Sequence, residues 1–450
     1  MSQSLLAILG FGMVVVFMAL IMGKRASAMV ALIAVPIVVA VCSGFGGQIG
    51  GMIMKGVIAL APIAVVLLFA VLYFGIMIDA GLFDPMVRRV IDAVGADPRR
   101  VTIGTALVAI VVSLDGDGAT TALVTITAFL PVYRRLGMNP LILATLLGAA
   151  NSIINIAPWG GPMPRVASVL RVPINDLFLP LIPVMVSGCI GVLILAWYLG
   201  GKERRRLGPT ANLPSAAGFN GLREGADDLA RPKLFWANLI LTLAVIAAAV
   251  AHIVPMPVIF MIGLVVALTL NYPEIGIQRL RIAAHSANVL PIILLVFAAA
   301  VFTGILEGTG MVKAMGASFV DVVPPSMGRH LALIMAVASG PLTFVMSNDA
   351  YYFGIVPVIA EAASHYGITA AEIGRASLLG QNLHALSPLV AAVYLVAGML
   401  DVDVGAMQRF ALKWAAALAA LLVATAVLTG AIPISASGRP LPLIQGSSSE

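Results

Sequence analysis

The chain has 450 residues, of which 61% are hydrophobic and only 10% charged, and its mean hydropathy is +1.06. Soluble domains carry about 25% charged residues, so this composition excludes a soluble fold of this size. The net charge of +6 reports loop orientation in so apolar a chain, and no basic run interleaved with aromatics points to nucleic acid.

The first apolar run, Leu5 to Met22, is followed by Lys24-Arg25 and has no basic residue before it. A cleaved signal carries its charges first, so this run reads as a retained span. Further spans are predicted at about 28–44, 57–79 and 175–199, then at about 234–253, 256–271, 286–306 and 408–431. Pro62 and Pro291 each open one of them. Cys42 and Cys189 lie in apolar runs and read as small packing residues, too few for a disulfide framework.

The stretches 101–133 and 329–366 are apolar but interrupted at their centres. The first breaks at Ser113-Leu114-Asp115-Gly116-Asp117-Gly118 and the second at Ser347-Asn348-Asp349. Polar backbone at membrane depth survives only where protein buries it, so each stretch is predicted to be a re-entrant hairpin. Two more spans are broken, one through Asn151 to Pro162 and one through Gly380 to Pro388. Glycine and proline end each half-helix there.

These features form an internal repeat. Phe74-Gly75-Ile76-Met77-Ile78-Asp79-Ala80-Gly81 shares its glycine spacing with Thr303-Gly304-Ile305-Leu306-Glu307-Gly308-Thr309-Gly310. A hairpin and then a broken helix follow each. The predicted fold is an all-α polytopic membrane protein of two inverted repeats, 1–200 and 234–434. A polar cytoplasmic linker, 201–233, joins them, and a polar tail, 435–450, ends the chain. Five crossings per half turn the second half upside down, the plan of secondary transporters. With the N-terminus outside, about 19 of the 26 Lys and Arg fall on the cytoplasmic side.

Asp115, Asp117 and Thr120 at the first tip, and Asp349 at the second, are candidate oxygen ligands for a hard cation. Crowded carboxylates can also carry protons, so Asp115, Asp117 and Asp349 double as proton-coupling candidates, with His384 as a possible shuttle. The bland alternatives are capping of the half-helix that begins near Gly118 and a histidine bonded to backbone. Asn151, Ser152, Asn155, Gly160, Gly161, Ser347, Asn348, Gln381, Asn382 and Ser387 are neutral groups at the tips and breaks. Such groups can hold a carboxylate or hydroxyl without a charge penalty, or serve only as interhelical contacts. Arg165 suits a carboxylate or a snorkelled position at the outer interface. Asp79 and Glu307, ending equivalent spans, are expected at the membrane surface. Tyr351 and Tyr352 read as packing or gate residues.

Leu114-Asp115-Gly116-Asp117-Gly118-Ala119-Thr120-Thr121, Ala157-Pro158-Trp159-Gly160-Gly161-Pro162, Ser347-Asn348-Asp349-Ala350-Tyr351-Tyr352 and Gln381-Asn382-Leu383-His384-Ala385-Leu386-Ser387-Pro388 resemble signatures of the citrate–metal/proton symporter family of the ion transporter superfamily. The resemblance covers nearly the whole chain. It implies an inner-membrane homodimer that imports citrate complexed with Mg²⁺ or Ca²⁺, driven by protons, by an elevator motion. The cation is then part of the cargo, and no permanently bound cofactor is implied. Alternatives are a proton- or sodium-coupled carrier of an uncomplexed di- or tricarboxylate, a cation/proton antiporter and a channel. No His-Glu-x-x-His pair or Gly-x-Ser-x-Gly elbow supports an enzyme.

Overall fold

The computed structural model describes residues 1–116, 118–208, 229–251, 254–322 and 324–436, and among these the regular structure is entirely helical. Six helices are long and apolar enough to cross a membrane: Gln3–Met22, Gly46–Asp79, Ile174–Leu207, Pro232–Ala251, Val289–Gly308 and Val404–Leu428. Ala28–Cys42 and Met256–Asn271 are apolar helices of 15 and 16 residues, each about 23 Å long at 1.5 Å per residue. The all-helical polytopic architecture expected from the sequence is therefore present.

Two helices dominate the first layer, Ile49–Asp79 with 31 residues and Ile275–Gly308 with 34. Both begin about ten residues before the expected starts, because Pro62 and Pro291 lie inside them rather than at their N-termini. A proline removes one backbone donor. In an apolar setting the other backbone groups still find partners only within the helix, so the helix continues through it. The two helices cross backbone to backbone. A Cβ on Gly304 would lie 2.5 Å from the Met52 carbonyl oxygen, and one on Gly56 would overlap the Ala300 carbonyl. Small residues at a crossing allow this approach, and the contact between helices is then van der Waals packing. Ala28–Cys42 and Met256–Asn271 pack against this pair.

The helices that follow each long helix build a second layer with the same element order in each half. After each long helix come a short helix (Asp84–Val94 or Met311–Val322), a hairpin, a broken helix and a long final helix. The first hairpin has arms Pro98–Val112 and Gly118–Leu136. The second has arms Leu331–Val345 and Val356–Ser364, with Asn348–Ala350 and a π turn, Tyr351–Ile355, at its tip. Side-chain caps set several starts. Asp97 accepts the Arg99 N–H at 3.0 Å, Asn139 accepts the Leu141 N–H at 2.9 Å, and Thr369 with Glu372 forms a capping box. The final helix of the first half, Ile182–Leu207, continues past residue 200. Most of the expected linker and the tail from residue 437 lie outside the described residues.

Aromatic rings join the layers. Trp159 of the first break lies 4.9 Å from Phe74 and 5.4 Å from Phe260, both on first-layer helices.

Candidate functional site

The first hairpin tip turns through Ser113–Asp115 and then Gly116, whose φ of +79° is left-handed. Glycine adopts that conformation without a Cβ penalty. The Leu114 carbonyl at the tip accepts a hydrogen bond from Trp159 Nε1 at 2.7 Å, which pins the tip to the first break. Asp117 lies outside the described residues.

At that break, Pro140–Ile154 ends and Pro162–Leu170 begins after seven residues of irregular chain. Asn155 Oδ1 accepts the Gly161 N–H at 3.0 Å, which ties the break to the residue that precedes the second half-helix. Gly160 is pressed onto Asn155, whose carbonyl would overlap any Cβ at position 160. One turn on, Arg165 is fixed at two points. Its Nε donates to Asp349 Oδ1 at 2.7 Å and its Nη1 to the Gly161 carbonyl at 2.6 Å. Asp349 belongs to the second hairpin tip, so this ion pair joins the two halves. Only about a fifth of either side chain is exposed, 20% and 21%. Arg165 is therefore a half-buried partner of Asp349 and not a snorkelled interface residue.

The second tip is capped by Ser347, whose hydroxyl accepts the Ala350 N–H at 3.2 Å. Tyr351 and Tyr352 behind it are fully buried, with ring centroids 4.9 Å apart; they pack. Gln381 in the second break donates from Nε2 to Tyr352 Oη at 2.5 Å and to Asn348 Oδ1 at 3.4 Å. The Ser152 hydroxyl donates to the Asn382 amide oxygen and links the two breaks directly. Asn382 Nδ2 is buried with no acceptor among the described residues, an unspent donor in this contact. His384 Nδ1 lies 2.7 Å from the Thr343 carbonyl. A carbonyl only accepts, so Nδ1 carries the proton and neutral His384 keeps its Nε2 lone pair. Ser387 donates to the Phe344 carbonyl at 2.7 Å and accepts the Leu389 N–H at 3.2 Å, so its polar capacity is used by the backbone.

These pieces line a cavity of about 420 Å³. Its polar wall is Asn151, Ser152, Asn155, Gly161, Arg165, Asn348, Gln381 and His384, with the hairpin residues Gly118 and Ala119 and apolar Val390 and Leu395 completing it. Of the sequence candidates, Gly160, Ser347, Asn382 and Ser387 stand behind this wall, and Asp349 is paired with Arg165.

Asp115 and Thr120 face a second cavity of about 270 Å³, shared with Gly116, Trp159, Asp79 and His285. The two described acid candidates, Asp115 and Asp349, are thus not gathered at one point. Among the described residues no group of three or more His, Cys, Asp or Glu is placed to hold a metal ion.

Asp79 departs from expectation. Its side chain is 13% exposed and meets His285 Nε2 at 2.7 Å and Arg281 at 3.6 Å. Gly75 makes room for that ring; a Cβ there would lie 2.7 Å from it. Sequence reading missed His285. The available signal was the Arg281/His285 spacing of four on the polar first turns of a span, which places both on one helix face. Glu307 is half exposed and paired with Arg171.

Comparisons with known proteins agree with this architecture. The chain is 51% identical over 430 residues to a citrate transporter of Bacillus subtilis (strain 168), covering 95% of this chain and all of that protein. It is 48% identical over 439 residues to the Mg(2+)/citrate complex secondary transporter of the same organism, covering 96% of this chain and all of the relative. Two solved structures share the fold. They are the YdaH transporter of Alcanivorax borkumensis (TM-score 0.58, 15% identity, 86% of this chain and 89% of that one) and MtrF of Neisseria gonorrhoeae (TM-score 0.56, 14% identity, 89% and 88%). The relatives are named as transporters rather than enzymes. The citrate transporter family model matches residues 17–380, and the chain, a multi-pass helical membrane protein throughout this region, belongs to the citrate transporter family.

Proposed function

We propose that this protein imports citrate as its complex with a divalent cation, Mg²⁺ or Ca²⁺, together with protons. The observation that carries this reading is the charge of the central cavity. Among the described residues its wall holds neutral amides, a hydroxyl and a histidine, and the one arginine among them is paired with Asp349. Free citrate brings three negative charges, and burying them against such a wall would leave most of them uncompensated. A divalent cation cancels two of the three. It is also a hard ion satisfied by oxygen ligands, many of which citrate itself supplies. The remaining carboxylate and hydroxyl oxygens suit Asn151, Gln381 and the amide of Asn348.

The shared element order supports an inverted-repeat arrangement, in which the hairpin tips and helix breaks move together as an elevator against the layer formed by the two long helices. The N-terminus is then outside, the linker 201–233 cytoplasmic, and the working unit a homodimer in the cell membrane. Proton coupling would use Asp115, Asp117, Asp349 or His384. Asp349 can serve only when its pair with Arg165 opens.

The experiment is labelled-citrate uptake into proteoliposomes under an inward proton gradient, with no divalent metal, with Mg²⁺ and with Ca²⁺. Uptake that needs one metal and collapses with a protonophore supports the reading. Equal uptake under chelation replaces it with a free organic-acid carrier.

A further inference from the structure

Away from both cavities, a cleft of about 760 Å³ opens between the final helices of the two halves and the start of the first broken helix. Its floor is a built structure. Buried Glu203 accepts the Asn139 N–H at 2.7 Å, and Arg206 reaches Glu203 and the Gly137 carbonyl, each at 2.5 Å. Asn139 in turn caps Pro140–Ile154, so this network joins the final helix to the segment that carries the first break.

The rim is cationic. Lys202, Arg205 and Lys413 line the cleft, and none has a carboxylate within ion-pairing distance among the described residues. Lys413 Nζ lies 5.2 Å from the Trp414 ring centroid and 5.7 Å from that of Phe410. The Trp414 indole N–H is buried and has no acceptor among the described residues. Trp414 packs on Tyr198 at 5.6 Å. Half-exposed Trp197 and Tyr198 precede Lys202 by five and four residues, about 6–8 Å along the helix. Amphipathic aromatic rings of this kind settle at headgroup depth. The cations therefore sit just beyond an aromatic belt, where an anionic lipid presents its phosphate, and the apolar wall residues Leu199 and Ile142 suit the first carbons of its acyl chains.

We propose that this cleft binds the phosphate of an anionic phospholipid headgroup. Basic pockets between membrane helices recognise such headgroups, each cation adding to the attraction. Through Glu203 and Asn139 the bound lipid would brace the segment leading to the first break. The site is independent of the substrate assignment.

The test titrates the delipidated full-length protein in neutral detergent with phosphatidylglycerol, phosphatidylcholine or inorganic phosphate, reading bound lipid by native mass spectrometry and stability by thermal melting. Phosphatidylglycerol is expected to bind and raise the melting temperature, while phosphatidylcholine and millimolar inorganic phosphate do not. Each of Lys202→Gln, Arg205→Gln and Lys413→Gln should weaken phosphatidylglycerol about fivefold, and the triple variant roughly 100-fold. Removing three cations elsewhere (Arg88→Gln, Arg89→Gln, Arg100→Gln) should change it less than twofold, that is by under about 0.4 kcal/mol in converted terms. Equal binding of phosphatidylcholine, equal stabilisation by inorganic phosphate, or undiminished binding by the single cleft variants would each overturn the proposal; the single variants keep it testable if the triple variant fails to fold.

Discussion

Breaking the ion pair that joins the second hairpin tip to the first break should weaken substrate handling in a manner its geometry specifies. Arg165 holds Asp349 through Nε at 2.7 Å and the Gly161 carbonyl through Nη1 at 2.6 Å. Lysine is a point charge on a flexible stem, so Arg165→Lys can keep one of these partners but not the planar two-point hold. A charge-assisted hydrogen bond is worth about 1.5–3 kcal/mol. With each side chain about a fifth exposed, solvent screening favours the lower end, about 1.5 kcal/mol. That corresponds to roughly a tenfold rise in the KM for uptake. Asp349→Asn keeps an acceptor but leaves Arg165 uncompensated, and should cost a similar factor. The decisive assay is the full cycle of wild type, Arg165→Lys, Asp349→Asn and the double variant, by uptake kinetics in proteoliposomes with protein orientation checked. If the pair works as a unit, the double variant is no worse than the worse single one. Losses that add within about 0.5 kcal/mol would show that the two residues act separately and would refute the reasoning.

Trp159→Phe keeps the ring packed on Phe74 and Phe260 but removes the donor to the Leu114 carbonyl. Hydrogen exchange at the 113–116 tip should accelerate about fivefold, equivalent to about 1 kcal/mol; unchanged exchange would mean that Trp159 does not pin the tip. Gly304→Ala forces a Cβ to 2.5 Å from the Met52 carbonyl and should lower stability by about 1–3 kcal/mol, seen as a fall in melting temperature. Gly12→Ala, which meets nothing within 4 Å, is the control. Ser387→Ala should lower thermal stability with KM for citrate within about twofold of wild type, because its hydroxyl serves the Phe344 carbonyl. Gln381→Ala, on the cavity wall, should raise KM. The reverse pattern would exchange their roles.

The gross plan was legible because the bilayer constrains it. Asp115 and Asp349 in the middle of apolar stretches admit few backbone solutions, and both occur as hairpin tips. What the sequence left open was the division of labour among polar residues at the breaks. A cavity wall and a half-helix cap call for the same side chains. Asn155 lies on the wall and holds the Gly161 N–H at once, whereas Ser347 and Ser387 serve backbone groups behind it. Pro62 and Pro291 misled for a different reason. Proline marks helix starts in water, but here each is carried inside an apolar helix. The Asp79–His285 contact spans 206 positions, and no local pattern announces such a pairing. Arg165 was equally open, since snorkelling and ion pairing both place an arginine a few residues past a break.

The central claim is that the cargo is citrate with its charge reduced by a divalent cation. Its most direct measurement is initial-rate uptake of labelled citrate by reconstituted protein as free Mg²⁺ or Ca²⁺ is raised at constant total citrate. The rate should follow the concentration of the metal–citrate complex and vanish under chelation. A rate that follows free citrate and survives chelation would contradict the account.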